Sequence, residues 1–312
     1  MLPPNFPELS HAMANGSIEL LRLAVAAGES LEEFEKQRKS SVIVDLLRMC
    51  VERSLDPPLV SELLEMGADA NMGGWFELSP LPYVLVRGCM DSQTLTANVV
   101  SLLCNGAEVN RLVPNTITSM AWRPRHREYS SYPLALAIQI GNLSAAEAIL
   151  LGGGSPDGPG GKDVLNPLSV SAIWKEPAIT KLLLKKGAQA HLCNEDGTSP
   201  LHHCWDEDIA SLLVRSGAPV SCQDKSGRLP MHEWVERATK TSTLEWIAGR
   251  APEDRFALDK EGVSPFRILR ERVNVDETHT HWLMPILAKW EADFIGQSTT
   301  GRAPCDSQGR RL

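Results

Sequence analysis

Four segments of the chain share one hydrophobic pattern, in which a run of apolar residues ends in a glycine followed by a small residue. The segments are LLEMGADAN (Leu63–Asn71), LLCNGAEVN (Leu102–Asn110), LLLKKGAQA (Leu182–Ala190) and LLVRSGAPV (Leu212–Val220). The spacing of the apolar positions predicts an amphipathic helix in each segment. Because glycine adopts the left-handed conformation at a helix C-terminus at little steric cost, each helix is expected to end at its glycine.

A second mark, a proline followed by an apolar residue, recurs in step with those glycines. Its prolines are Pro80, Pro133, Pro167, Pro200, Pro230 and Pro265, at intervals of 53, 34, 33, 30 and 35 residues. Proline suits the first turn of a helix, and a preceding Ser or Asn can cap that helix. Polar turns with glycine precede the last three prolines, as in Asp224-Lys225-Ser226-Gly227. The repeating unit is therefore predicted to be a turn followed by two helices.

This arrangement resembles that of ankyrin-repeat proteins, whose repeats carry T-P-L-H-x-A-A and G-A-D-V-N motifs. Ser199-Pro200-Leu201-His202 is the nearest match to the first motif, and Gly67-Ala68-Asp69-Ala70-Asn71 matches the second. The resemblance covers roughly residues 10–292 in about eight units, with the first two and the last degenerate. It implies an all-α solenoid of stacked helix-turn-helix pairs with short hairpin loops. We expect a single solenoid over residues 1–294 and a flexible tail over 295–312.

Two segments depart from the regular spacing. The interval between Pro80 and Pro133 exceeds the family's period of about 33 by roughly 20 residues. The excess falls mainly on residues 111–131, which are expected to form a long insertion at a hairpin position. Residues 152–161, GGGSPDGPGG, are expected to replace another hairpin with a flexible loop.

Composition and charge narrow the classes of partner. The 312 residues include 31 basic and 39 acidic side chains, a net charge of −8, whereas binding many phosphates requires clustered Lys and Arg. Nucleic acid is therefore not expected as the partner. No segment approaches the roughly 20 apolar residues that span a bilayer, and the N-terminus lacks a signal-peptide pattern. We expect a cytoplasmic protein without membrane insertion; delivery into another cell by a specialised route stays open. Seven scattered cysteines fit reduced thiols.

Catalysis, metal and cofactor are not expected. A zinc site was considered for His191, Cys193, His202, His203 and Cys204. Three of these residues are consecutive on a predicted helix and therefore point in different directions. The resemblance implies instead that His202 and His232 satisfy backbone groups of the adjoining turns. The sequence also lacks the P-loop, the G-x-S-x-G elbow and the H-E-x-x-H motif.

The resemblance also implies a binding surface, since partners of such repeats usually bind the concave side formed by hairpin tips and first-helix ends. By register, the first-helix ends carry Val86, Arg87, Gln139, Ile140, Ile173, Trp174, Asp206, Glu207, Glu236 and Arg237. The tips carry Trp75, Glu195, Asp196, Lys225, Ser226, Lys260 and Glu261. Trp174 either anchors a partner or packs under the neighbouring loop, and both interpretations stay open.

The insertion carries a basic and aromatic cluster, formed by Trp122, Arg123, Arg125, His126 and Arg127. It could bind an acidic patch or a phosphate, or it could be a solvated loop anchored by one tryptophan. The whole sequence therefore predicts a non-enzymatic protein-interaction module, monomeric on its own, that acts as adaptor, scaffold or effector through its concave face. The alternatives are a stoichiometric inhibitor or immunity-type protein that blocks a partner enzyme and, more distantly, a metal-dependent enzyme.

Overall fold

The computed structural model of the protein describes residues 6–53, 60–73, 78–86, 91–113, 131–161, 164–237, 240–275 and 283–299. Over these residues the chain is all-α, with an isolated antiparallel bridge between Val113 and Ser131 and no named strand. None of the described helices has the length and apolar character needed to cross a membrane. The chain divides into two compact units, residues 1–159 and 160–312.

The first unit is built of helices. They are α1 (Pro7–Asn15), α2 (Ile18–Ala26), α3 (Leu31–Arg38), α4 (Val42–Arg53), α5 (Val60–Glu65), α6 (Pro80–Val86), α7 (Ser92–Cys104), α8 (Pro133–Gln139) and α9 (Leu143–Leu151). Consecutive helices pack as pairs, α1 with α2, α6 with α7 and α8 with α9, and neighbouring pairs pack through α7 and α9.

The second unit is also built of helices. Its helices are α10 (Pro167–Trp174), α11 (Pro177–Lys185), a 3₁₀ helix (Pro200–His203), α12 (Glu207–Arg215), α13 (Pro230–Arg237), α14 (Thr241–Ala248), a second 3₁₀ helix (Pro252–Phe256), α15 (Pro265–Val275) and α16 (Met284–Thr299). The first helices α10, 3₁₀ Pro200–His203, α13 and α15 pack in sequence against each other. The predicted all-α repeat architecture is confirmed.

The predicted helix starts are confirmed at every recurring proline. Each of the six begins a helix, five of them α-helices and Pro200 a 3₁₀ helix. The preceding side chains cap some of these helices as expected: the Asn166 amide oxygen accepts the Ser169 N–H at 2.7 Å. The Ser264 hydroxyl accepts the Arg267 N–H at 3.2 Å. The Pro-Leu marks in the sequence therefore locate the first helices.

The helix-ending glycines adopt the expected conformation. Gly67, Gly106, Gly187 and Gly217 have φ between 79° and 93°. Beyond each glycine the next N–H reaches back into the helix, as Ala188 does to the Leu183 carbonyl at 3.0 Å, which closes the helix end.

The glycine-rich segment 152–161 begins in the same way. Gly153 has φ 94°, and the Gly154 N–H donates to the Ile149 carbonyl at 2.9 Å. The first residues of the predicted flexible loop therefore close a helix in the same manner as the other repeats.

The predicted insertion has a closed base. The Val113 N–H donates to the Ser131 carbonyl at 2.8 Å, and both residues are buried. Residues 114–130 lie outside the described part of the chain.

The C-terminal boundary differs from the prediction. Helix α16 continues to Thr299, whereas residues 295–312 were expected to form a flexible tail. A single glycine inside a helix costs only about 1 kcal/mol relative to alanine, so Gly296 does not end α16. The start of the tail at residue 295 is therefore wrong, and residues 300–312 lie outside the described part. A single solenoid over residues 1–294 stays a prediction.

Candidate functional site

The three polar turns of the second unit share one internal geometry. In each turn a side-chain oxygen, from Asn194, Asp224 or Asp259, accepts two backbone N–H groups at 2.8–3.0 Å. Asn and Asp favour such turns because their short side chains bond the backbone two residues ahead. Gly197 has φ 80°, and a Cβ there would lie 3.1 Å from the Asp224 Cα. The turns are therefore closed and lie close together.

Backbone hydrogen bonds join each turn to the next one. The Lys225 N–H donates to the Asp196 carbonyl at 2.8 Å. The Lys260 N–H donates to the Ser226 carbonyl at 2.9 Å. The backbone thus makes these connections, and the central side chains of the turns are exposed: Glu195, Asp196, Lys225, Ser226, Lys260 and Glu261.

Two buried histidines connect the same repeats beneath the turns. His202 Nδ1 accepts the Ser199 N–H at 3.0 Å, and His202 Nε2 lies 3.1 Å from the Arg228 carbonyl in the following repeat. His232 makes the same bridge one repeat later, at 3.0 and 3.2 Å. The prediction that both imidazoles satisfy backbone groups of the adjoining turns is confirmed.

The hydrogen bonds define the charge state of these histidines. Burial lowers the pKa of both imidazoles below the usual value, because desolvation disfavours the cation. A neutral ring with its proton on Nε2 accepts the N–H at Nδ1 and donates to the carbonyl at Nε2. The neutral form therefore satisfies both bonds, and His202 and His232 serve the fold.

An aromatic and charged cluster lies at the end of α13. The Arg237 guanidinium carbon is 5.3 Å from the Trp205 ring centroid, and its Nε donates to Glu233 at 3.0 Å. Arg228 contacts Glu233 and Glu236 at 3.3 and 2.7 Å. These contacts link Arg228, Glu233, Glu236 and Arg237 in one network of half-buried and exposed side chains.

Five of the predicted site residues lie on this part of the molecule. Glu195, Asp196 and Lys225 are exposed on the turns, and Glu236 and Arg237 are exposed at the end of α13. The first three extend from turns that the backbone fixes, and the last two belong to the charged cluster.

Trp205 is half-buried beside Arg237 and was missed by the sequence reasoning. The sequence signal for this difference is the short interval of 30 residues between Pro200 and Pro230, which indicates that this repeat departs from the register of the others. We refer to Trp205 and the five residues of the preceding paragraph as the turn–helix surface.

The positions predicted for Asp206 and Glu207 are wrong. The first helix of this repeat is a 3₁₀ helix that ends at His203, so both residues belong to the start of α12. The Asp206 carboxylate caps α12 by accepting N–H groups at 3.1 and 3.2 Å. The Glu207 carboxylate accepts the hydroxyls of Ser242 and Thr243 in the following repeat. Both carboxylates therefore already have structural partners.

The remaining described candidates lie at first-helix ends. Trp174 is the half-buried last residue of α10, in the second unit. In the first unit Gln139 is half-buried at the end of α8, and Ile140 follows it with 46% of its surface exposed. A role of these three residues in binding stays a prediction.

Several predicted residues lie outside the described part of the chain, so their positions do not enter the site. They are Trp75, Arg87, Trp122, Arg123, Arg125, His126 and Arg127.

No group of three or more potential metal ligands occurs among the described residues. His203 contacts the Thr198 hydroxyl at 3.1 Å, and the Cys204 thiol is buried against the Asp206 carbonyl. Burial raises the pKa of Cys204 to about 12, which keeps it protonated. His202, His203 and Cys204 therefore each have a separate structural contact.

Comparison with known proteins shows partial similarities, among them the following two. The human ankyrin repeat and SOCS box protein 16 is 27% identical over 146 residues, which are 43% of this chain and 32% of that protein. The phosphocholine transferase AnkX of Legionella pneumophila is 29% identical over 131 residues, which are 39% of this chain and 14% of AnkX. The chain thus spans about a third of one relative's length and a seventh of the other's. No protein-family profile matches the chain.

Proposed function

We propose that this chain, an ankyrin-repeat protein, is an interaction module that binds a partner protein through the turn–helix surface of its second unit. Ankyrin repeats generally bind other proteins, and one of the two similar proteins is named as an ankyrin repeat protein. The single observation that carries the proposal is the pair of backbone bonds, Asp196 to Lys225 and Ser226 to Lys260, that fix neighbouring turns beneath exposed charged side chains.

Fixed turns favour binding because less conformational entropy is lost when a partner docks. Glu195, Asp196 and Lys225 extend from positions that the backbone already determines. A partner therefore meets an arrangement of charges that exists before the encounter.

The chemistry of the surface supports selective binding. Acidic residues of one turn lie beside a basic residue of the next, and mixed charges discriminate between partners more than they add affinity. Trp205 lies next to the Arg237 guanidinium. Tryptophan and arginine are among the residue types that most often dominate the binding energy at interfaces. We infer that the partner contacts Trp205 and Arg237 at the centre and the turns at the rim.

The test uses two double variants with the same change in charge. Lys225→Glu with Lys260→Glu alters exposed residues of the turns, whereas Lys185→Glu with Arg215→Glu alters exposed residues at the ends of α11 and α12. Partners captured from the source cell's lysate by the wild type are identified by mass spectrometry. Their affinities for the three purified proteins are then measured by calorimetry.

We expect the turn variant to bind the captured partner at least roughly tenfold more weakly, because rim charges steer and orient the partner. The matched helix variant is expected to bind like the wild type. Equal binding by the turn variant, or a loss confined to the helix variant, would place the interface elsewhere.

The same complex distinguishes the possible roles. An adaptor or scaffold joins several proteins and blocks none of their activities, whereas an inhibitor forms a one-to-one complex that abolishes a partner's turnover. The similarity to a phosphocholine transferase adds one assay, the transfer of a labelled group by the purified chain. Turnover in that assay would contradict the proposed non-enzymatic role.

A further inference from the structure

Glu35 on α3 is a completely buried carboxyl that joins two parts of the first unit. One carboxyl oxygen accepts the N–H of Val42, the first residue of α4, at 2.6 Å. The other accepts the N–H of Asp69, in the turn after α5, at 2.7 Å. A single side chain therefore connects the start of one helix with the turn that ends the following repeat.

The same connection recurs along the first unit with a different chemical group. Each acceptor bonds the N–H that lies two residues beyond a helix-ending glycine in the next repeat. Asn71 accepts this N–H from Glu108 at 2.7 Å, and Asn110 accepts it from Ser155 at 3.1 Å. Both acceptors are neutral amides that also donate to a glycine carbonyl. We call each such connection between repeats a joint. At the joint made by Glu35 the acceptor is a carboxyl, which, unlike the two amides, can gain or lose a proton.

The groups around Glu35 leave its charge only partly compensated. Arg38, on the same helix, is the nearby cation, and it pairs with Asp45 of α4 at 2.9 Å. Asp69, in the facing turn, contributes a like charge. Burial raises the pKa of Glu35 to about 7, against the opposing effect of the two N–H donors and Arg38.

We propose that Glu35 makes the joint between α3, α4 and the turn at Asp69 sensitive to pH, so that loss of its proton near neutrality weakens the joint. When the joint opens, Glu35 meets water and its pKa returns to about 4.5. The closed joint therefore binds a proton that the open form releases. Its stability falls as the pH rises from about 4.5 to about 7, and it is constant above that range.

Hydrogen exchange of the wild-type protein measures the joint directly. Protection factors of the Val42 and Asp69 amides, corrected for intrinsic exchange, are compared between pH 5 and pH 8. We expect protection to fall roughly tenfold or more, since each unit of pKa difference changes the opening equilibrium tenfold. The carboxyl carbon of Glu35, followed by NMR, should titrate near neutrality. A carbon that titrates near 4.5, or protection that does not change with pH, would overturn the proposal.

Two matched variants assign the effect to this side chain. Glu35→Gln keeps a carbonyl acceptor without a titrating proton, so protection of both amides should be lower but independent of pH. Glu65→Gln removes an exposed carboxyl of the same unit and should retain the wild-type pH dependence. The same pH dependence in Glu35→Gln as in wild type would refute the assignment. If Glu35→Gln does not fold, the carbon titration of the wild type decides.

Discussion

The two units differ in the bonds that predominate between their successive repeats. In the first unit a side chain of one repeat, Glu35, Asn71 or Asn110, accepts a backbone N–H of the next. In the second unit the turns bond backbone to backbone, and buried histidines bridge the repeats beneath them.

The difference follows from the turns. Asp224-Lys225-Ser226-Gly227 reverses the chain tightly enough for its backbone to reach the next turn. In the first unit the described repeats lack this turn sequence; one backbone bond, from the Ser41 N–H to the Gly73 carbonyl at 3.1 Å, connects two of them, and side chains make the other connections described above. Joints made by the backbone leave the turn side chains available for a partner, whereas joints made by side chains use them for the fold.

Among the changes that test this comparison, His202→Ala is expected to lower the free energy of unfolding the most. The change removes a buried imidazole and leaves the Ser199 N–H and the Arg228 carbonyl without their partner. We expect a loss of about 3 kcal/mol in the free energy of unfolding, measured by urea denaturation. The exposed His191→Ala is the control, with a loss below about 0.5 kcal/mol. Equal losses would mean that His202 does not connect the repeats.

A smaller effect is expected from Gly197→Ala, which tests the close approach of the turns. The added Cβ is strained by the positive φ and lies 3.1 Å from the Asp224 Cα. Gly262→Ala has a similar φ of 75° but open space around its Cβ. Thermal or urea unfolding should show losses of about 2 and about 1 kcal/mol respectively. If Gly262→Ala is at least as destabilising, the contact with Asp224 contributes nothing.

Asn71→Ala tests a side-chain joint of the first unit. It removes the bond that Asn71 accepts from Glu108 and the bond that it donates to the Gly106 carbonyl. Because the joint is exposed and water can replace the amide, we expect a loss of only about 1 kcal/mol in denaturant unfolding. Asn105→Ala is the control, since its amide donates to Ser101 of its own helix. A comparable loss of stability in Asn105→Ala would mean that the effect arises from losing an asparagine near a helix end and not from losing the bond between repeats.

The smallest effect on stability is expected from a change in pH. Burial lowers the pKa of His202 and His232, but their contacts with backbone carbonyls act in the opposite direction, so the two effects partly cancel. Their folded-state pKa lies below the usual 6.5, so the unfolded chain takes up protons first. Their stabilisation is complete above pH 6.5 and is lost progressively as the pH falls from 6.5 through their lower folded-state pKa. Hydrogen exchange around Ser199 and Leu229 should therefore accelerate from pH 7 to pH 5, after correction for intrinsic rates. Unchanged protection there would show that neither histidine titrates on unfolding.

The sequence predicts much of the fold because its strongest signals are local. Pro167 begins a helix and Gly187 ends one for reasons contained in their own backbones. His202 was predicted from its place in the repeat. In contrast, Asp206 and Glu207 were assigned to the wrong helix because the fixed register did not allow for a 3₁₀ helix.

Other features depend on distant contacts that no local pattern records. Trp205 contacts Arg237, one repeat away. Glu35 lies in a helix of polar sequence, LEEFEKQR; its spacing from Leu31 and Phe34 places it on the buried face, but the sequence does not show which groups meet its carboxyl there. Its burial follows from the N–H groups of Val42 and Asp69, which tertiary packing brings to it.

The bridge between Val113 and Ser131 also affects how the sequence of this chain can evolve. Because one hydrogen bond brings these two residues together, the segment between them begins and ends at the same place. The entropy of closing a loop grows only slowly with its length, so residues can be added or removed there at small thermodynamic cost. The segment between Val113 and Ser131 is therefore a site where residues can be inserted, either during evolution or by grafting a peptide.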